Sequence, residues 1–197
     1  MHISCRKLIG ARYFNRDYAA NAEPEAIQKN VLNTARDNDG HGSHTLSTIG
    51  GNFVFGANSF GLGNGTAKGG SPKARVAAYK ICWPPIGDSG CFDADIMAAF
   101  DMAIHDGVDV LSLSLGTPPL KYFDDGLSIA AFHAVKKGII VLFSAGNSGP
   151  DPKTVSNVAH WILTVAASTL DRDFDAGVQL QNGQRFKVFH VLYLYML

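Results

Sequence analysis

A chain of 197 residues with 46% hydrophobic and 17% charged side chains can bury a substantial core, which excludes an intrinsically disordered protein. Its 17 basic and 17 acidic residues cancel, so it presents no basic footprint for nucleic acid or an anionic membrane surface. No apolar run approaches the roughly 20 residues that span a bilayer, and residues 1–7 lack the apolar core of a signal peptide.

In chain order, residues 14–40 are polar and irregular and read as a surface loop. The segment Asp39-Gly40-His41-Gly42-Ser43-His44-Thr45 then opens a helix, with Asp39 in the place of an N-cap. Residues 50–71, rich in Gly and Asn, read as a second long loop, and Asn64-Gly65-Thr66 within it is an N-glycosylation sequon, meaningful only in a secreted protein. Residues 75–82 form an Ala/Val/Ile run expected to be a buried strand. Cys82 and Cys91 flank a Pro/Gly loop short enough to bring them within bridging range in an oxidising compartment, whereas a reducing one would leave both as thiols. Cys5 makes the cysteine count odd and has no evident mate, and no Cys-x-x-Cys pair suggests a metal site.

From residue 93 the chain alternates. Asp93 reads as the N-cap of a helix running to His105, with Ile96, Met97, Phe100, Ala103 and Ile104 at helical spacing and Gly107 as C-cap. Residues 108–115 form a second buried strand. Asp124 and Asp125 open a further helix carrying Ile129, Phe132, Ala134 and Val135, with Lys136 and Lys137 favourable to its dipole and Gly138 at its end. Residues 139–143 and 161–167 are the third and fourth strands. Strands separated by helices of this length predict an α/β fold, a parallel sheet flanked by helices, as one domain. Residues 178–181 and 184–188 bracket Asn182-Gly183, which predicts a C-terminal β-hairpin with a type I′ turn.

Two segments carry chemistry. His41 lies between two glycines at a helix start, where backbone and substrate can come close and the helix fixes the ring. Ser144-Ala145-Gly146-Asn147-Ser148-Gly149-Pro150 follows the third strand and ends it in a Gly/Asn turn. With Cys5 through Phe14, Gly69-Gly70-Ser71-Pro72 through Lys80, and Asp106 through Gly116, these motifs resemble the catalytic domain of subtilases, the subtilisin-like serine proteases, and most of all their plant members. The resemblance covers roughly residues 5 to 187 in the right order. It implies a serine endopeptidase fold and activity, an extracellular location, a polypeptide substrate and no cofactor.

By that resemblance His41 is the general base and His44, one helical turn on, a structural neighbour. A zinc reading of the His-x-x-His pair lacks a third ligand and a Glu base. Asn147 is the oxyanion donor, although a plain turn role also suits its residue type. Ser114, Leu115 and Gly116 would line the substrate backbone as an added strand does, and Ser144, Ala145 and Gly146 would wall the pocket before the scissile bond. Gly87-Asp88-Ser89-Gly90 mimics the serine motif of chymotrypsin-like enzymes, but those are β-barrels. Gly63-x-Gly65 is followed by Lys68 where a dinucleotide pattern requires glycine.

The rest of the triad does not appear. Asp17, Asp37 and Asp39 precede His41, but none begins the family's Asp-Ser/Thr-Gly turn, and no Gly-Thr-Ser follows Asn147. Ser148, Ser156 and Ser168 lack that context. The reading is therefore a partial catalytic domain over 1–187, needing the missing triad segments as partners, followed by a foreign apolar tail at 188–197 with strong β propensity. The expectation for the chain by itself is no hydrolysis. The other class of function is a non-catalytic pseudoprotease or peptide-binding fragment.

Overall fold

Among the described residues, fifteen elements follow one another along the chain. They are β1 (Leu8–Tyr13), α1 (Arg16–Asn21), α2 (His41–Gly50), β2 (Val54–Ser59), β3 (Leu62–Ala67), β4 (Val76–Lys80), β5 (Cys82–Ile86) and β6 (Ser89–Cys91). After them come α3 (Asp93–Asp106), β7 (Val110–Leu113), α4 (Gly126–Lys136), β8 (Ile140–Ser144), β9 (Leu163–Val165), β10 (Asp175–Gln179) and β11 (Arg185–Phe189). The structure, a computed structural model, describes residues 7–23, 33–87, 89–116, 120–169 and 175–189. Cys5 and residues 190–197 of the tail lie outside them.

The expected alternation holds from α3 to β9. Strands β7, β8 and β9 form a parallel sheet in that order, with Leu113 opposite Phe143 and Phe143 opposite Thr164. Strand β4 pairs in parallel with β1 in a separate two-stranded sheet. The fold is thus α/β, with parallel strands flanked by helices and a C-terminal β-hairpin.

One face of the β7–β9 sheet carries the core. Ile96 and Phe100 from α3, Leu127, Ala130, Ala131 and Ala134 from α4, and Val141 and Phe143 from β8 are all buried together. The rings of Phe100 and Phe143 stack with centroids 6.5 Å apart. Helix α4 meets this core through its small residues, so Ile129 and Phe132, expected on the buried face, stay partly exposed. Close approach of a helix to its neighbours selects Ala over larger side chains, and Phe132 packs edge-on against Trp161 at the margin instead, 5.3 Å between centroids. Met97, also expected inside, lies at the margin too.

The other face of the sheet is half open: Val110, Ile140, Leu163 and Val165 are each 50–56% exposed. The strand sequences are apolar on both faces, which is how the runs came to read as fully buried, yet α3 and α4 cover only one side.

Glycine ends both helices as expected. The Gly107 N–H reaches back to α3, and Gly138 does the same for α4, bonding Val135 O at 2.9 Å. Asp125 caps α4 through the Leu127 N–H, and the Ser128 hydroxyl also donates to it. Asp93 is the first residue of α3 and not its cap, which is Phe92 with no side-chain cap bond. The C-terminal hairpin pairs β10 with β11, but its turn differs from expectation. Gly183 alone has positive φ, 85°, and its N–H bonds Leu180 O at 2.9 Å. That is a type I turn followed by a left-handed glycine, a three-residue loop, whereas type I′ needs positive φ at Asn182 as well.

Two segments expected as loops contain regular structure. Residues 16–21 form α1, whose Tyr18 is buried against Trp83 and Phe92. Buried Asp95, in the first turn of α3, accepts the Tyr18 N–H at 2.9 Å and the Asp17 N–H at 3.2 Å. A tertiary carboxylate therefore caps a helix too short to announce itself by periodicity. Residues 54–67 form the β2–β3 hairpin, irregular in register and exposed along both strands. Its bulges and glycines hide the two-residue alternation that marks a strand.

Candidate functional site

His41 is the first residue of α2, and it is exposed. Gly40 forms the N-cap with φ 101°, a left-handed conformation costly to any other residue type at this turn. No cap bond comes from Asp39. The acceptor is Asp37, which takes the N–H groups of Gly40 at 2.8 Å, Ser43 at 2.7 Å and Asp39 at 3.0 Å. Asp39 was expected to cap because it adjoins the motif, but Asp37 is the residue whose carboxylate reaches the first-turn amides. The Gly40 bond foremost, then those from Ser43, hold the Asp37 carboxyl well below its ordinary value of 3.8.

On the far side of α2, its Gly50 is buried against Val76 of β4, and the Gly70 and Ser71 N–H groups donate to Thr48 O and Ile49 O, each at 2.8 Å. Helix α2 is thus tied at its C-terminal end to the start of β4.

The second half of the candidate site lies at the carboxyl ends of β7 and β8. The Ser144 hydroxyl donates to Leu115 O at 3.1 Å. The Asn157 side-chain amide donates to Leu115 O and to Ser144 O, both at 2.8 Å. Beyond these bonds, Gly116 and Gly146 face each other closely enough that a Cβ on Gly116 would stand 3.9 Å from the Gly146 Cα. Ser156 fills the space beside both: its Oγ lies 3.1 Å from a Cβ built on Gly116 and 2.9 Å from one on Gly146. That Oγ is buried with no hydrogen-bond partner among the described residues. The Ser156 N–H bonds Ala145 O, and the Ala145 N–H bonds Val165 O, both at 3.0 Å, which fixes the backbone of the segment from both sides.

The structure thus brings Ser114, Leu115 and Gly116 together with Ser144, Ala145 and Gly146. Asn147 follows directly, exposed, after the positive φ of Gly146 (86°). Among the described residues no hydrogen bond or ion pair links His41 to either segment. Asp37, Ser156 and Asn157 were missed as contributors. Asp37 could have been found from its three-residue spacing to Gly40; Asn157, far along a loop, gave no local signal.

Two accessory sites are also placed. Cys82 and Cys91 are joined in a disulfide, their Cα atoms 4.4 Å apart across the β5–β6 hairpin. Asn64 lies exposed on β3. No helix of the described residues is long and apolar enough to cross a membrane.

Comparison with known proteins identifies the family. The profile of the Subtilase family matches residues 2–184. Subtilisin-like protease SBT5.4 of Arabidopsis thaliana is 63% identical over 183 residues, covering 92% of this chain and 23% of the relative. SBT5.3 of the same plant is 59% identical over 182 residues, with the same coverage, and a subtilisin-like protease of Glycine max is 55% identical over 182 residues, covering 90% of this chain and 23% of the relative. The solved structure of sphericase superposes with a TM-score of 0.50 at 27% identity, over 80% of this chain and 46% of that one. The chain spans about a quarter of the length of its curated relatives. It belongs to the subtilase family of serine peptidases.

Proposed function

We propose that this chain is the part of a serine endopeptidase catalytic domain that supplies the general base, His41, and the oxyanion donor, Asn147. The observation that supports it is the clamp of Asn157 and Ser144 on Leu115 O, which sets the two substrate-lining segments side by side at the strand ends, with Asn147 next in line.

In this reading an extended peptide lies along Ser114-Leu115-Gly116 and makes main-chain hydrogen bonds there. Ser144-Ala145-Gly146 walls the side chain that precedes the scissile bond, where small residues leave room. A serine hydroxyl attacks the scissile carbonyl carbon as His41 accepts the hydroxyl proton, and the C–O bond forms. The electron pair of the carbonyl moves to its oxygen, and the Asn147 side-chain N–H donates to that oxyanion. Collapse of the intermediate breaks the C–N bond, and His41 returns the proton to the departing amine. Water then repeats the sequence on the acyl-enzyme.

The attacking serine and the orienting aspartate have no family motif among these 197 residues. They belong, in this proposal, to polypeptide outside residues 1–187, and residues 188–197 form an apolar tail foreign to the catalytic domain. By itself the chain is then a non-hydrolysing fragment that retains a surface for peptides. The disulfide and the exposed Asn64 suit an oxidising, extracellular setting in which the sequon is glycosylated.

Incubation of the purified chain with a labelled fluorophosphonate and with a fluorogenic peptide tests this reading. The expected result is no labelled serine and hydrolysis at background. Turnover that disappears in His41→Ala would show that the chain already contains its nucleophile.

A further inference from the structure

The loop before His41 is braced by residues that the catalytic reading does not use. Lys80, the last residue of β4, donates from Nζ to Arg36 O at 2.6 Å, and its ammonium sits 4.1 Å from the centroid of the Trp83 ring. Trp83 is itself fixed: it is 6% exposed, packs on Tyr18, and donates from Nε1 to Phe14 O at 2.8 Å. The residue after Arg36 is Asp37, whose carboxylate gathers the N–H groups of Asp39, Gly40 and Ser43. Those amides lie on either side of His41. A continuous set of contacts therefore runs from a buried indole, through one cation and one carbonyl, to the carboxylate that shapes the first turn of α2.

We propose that Asp37 and Lys80 are positioning residues for His41: Asp37 fixes the turn from which the imidazole projects, and Lys80 ties that turn to the end of β4. The proposal rests on His41 being the general base and adds what holds it. Donors converge on two neighbouring residues, the Lys80 ammonium on Arg36 O and the N–H groups of Asp39, Gly40 and Ser43 on Asp37, in the turn that leads directly into His41. An exposed histidine at the first position of a helix has no packing of its own to define its direction, so the backbone turn must do so.

The electrostatics agree with the geometry. Desolvation lowers the pKa of Lys80, and the Asp37 charge opposes that shift. Asp37 is held ionised chiefly by the Gly40 N–H. Its folded pKa lies below the ordinary 3.8, so the stabilisation it gives the turn is complete above that pH and is lost as the pH falls through the depressed value. The charged and titratable residues of this turn and of the elements against it are Arg36 and Asp39 in the loop, His41 and His44 on α2, and Lys80 on β4.

The test is nuclear magnetic resonance on the uniformly isotope-labelled full chain, comparing wild type, Asp37→Asn, Asp37→Ala and Lys80→Met. In wild type the side-chain couplings of His41 should report a single rotamer, and the Asp37 carboxyl carbon should keep its ionised shift until the pH drops below 3.8. In Asp37→Ala the His41 couplings should average, and exchange at Gly40 and Ser43 should rise at least about tenfold. The His44 couplings should not change, which serves as the internal control. Asp37→Asn, which keeps one acceptor oxygen, should fall between the two, and Lys80→Met should average His41 with the Asp37 bonds still formed. Should an Asp37 variant unfold, Lys80→Met and the wild-type pH series carry the test. The proposal is overturned if His41 keeps one rotamer in Lys80→Met and in Asp37→Ala while the Gly40 and Ser43 amides loosen. It is also overturned if the Asp37 carboxyl carbon titrates at or above 3.8 in wild type. Neither outcome bears on whether His41 is the base, which fails only if a hydrolysing assembly retains its rate in His41→Ala.

Discussion

The Asn157 amide stands 2.8 Å from the Ser144 carbonyl, and the second proton of the same amide reaches the Leu115 carbonyl at 2.8 Å. One side chain thus fastens the carboxyl ends of β7 and β8, where the candidate substrate-lining segments begin. Asn157 has φ 56°, which asparagine tolerates. Asn157→Gly keeps that backbone and removes the buried side chain with both its bonds, so it should cost at least about 2 kcal/mol in urea unfolding. Asn157→Asp at neutral pH should cost more, because it sets carboxylate oxygens against two carbonyl oxygens.

Gly146 gives a separable pair of costs. An alanine there would carry the left-handed penalty of about 1–2 kcal/mol and press its Cβ to 2.9 Å from Ser156 Oγ. Ser156→Ala alone should be neutral or stabilising by up to about 1 kcal/mol, since it removes a buried hydroxyl that has no partner among the described residues. Combined with Gly146→Ala it should recover the steric part and leave the backbone part. Additive losses in the double mutant would mean that Ser156 is not the obstructing group.

Asp95 caps α1 from another helix, so its loss should release α1 as a unit. Asp95→Ala should cost about 3 kcal/mol, from two charge-assisted bonds lost and Tyr18 less well packed. The only tryptophans are Trp83 and Trp161. In a Trp161→Phe background the emission of Trp83 should shift to the red as its cover from Tyr18 loosens. Unchanged emission would show that α1 stays docked without the carboxylate.

These contacts mark the limit of what the sequence conveys. The β–α alternation from Asp93 to Ile140 was legible because apolar spacing and the Gly107 and Gly138 stops are local signals. Helix α1 was not, since its cap lies 78 residues downstream of Asp17. Asp39 reads as the cap because it adjoins the motif, whereas in the folded loop the Asp37 carboxylate meets the amides. Asn157 gave no local signal, and its role arises from two carbonyls that folding brings to it. The candidate residues at the strand ends were legible through short Gly-containing motifs, whereas the serine that packs beside their glycines was not.

Tyr79 supplies a pH test. Burial, and then its hydrogen bond to Asp106, raise its pKa to about 12 from 10.0. A pKa raised in the folded state means that this stabilisation is intact below pH 10 and declines as the pH rises toward 12. Absorbance titration near 295 nm should show a late-ionising step from Tyr79, and Tyr79→Phe should remove it. Should the late step survive in Tyr79→Phe, the network of Tyr79, Asp106 and Arg12 does not protect this phenol.

The central claim, that His41 and Asn147 act as base and oxyanion donor in a subtilase catalytic domain, is tested most directly by hydrolysis in a chimera. Residues 2–184 would replace the matching segment of the 63%-identical Arabidopsis protease, and turnover of a fluorogenic peptide would be measured. The account predicts an active chimera, abolition of turnover in His41→Ala, and a drop of about 10²–10³ in kcat in Asn147→Ala, a magnitude taken from the oxyanion asparagine of subtilisin itself. An active chimera that keeps its rate in His41→Ala or in Asn147→Ala would contradict it.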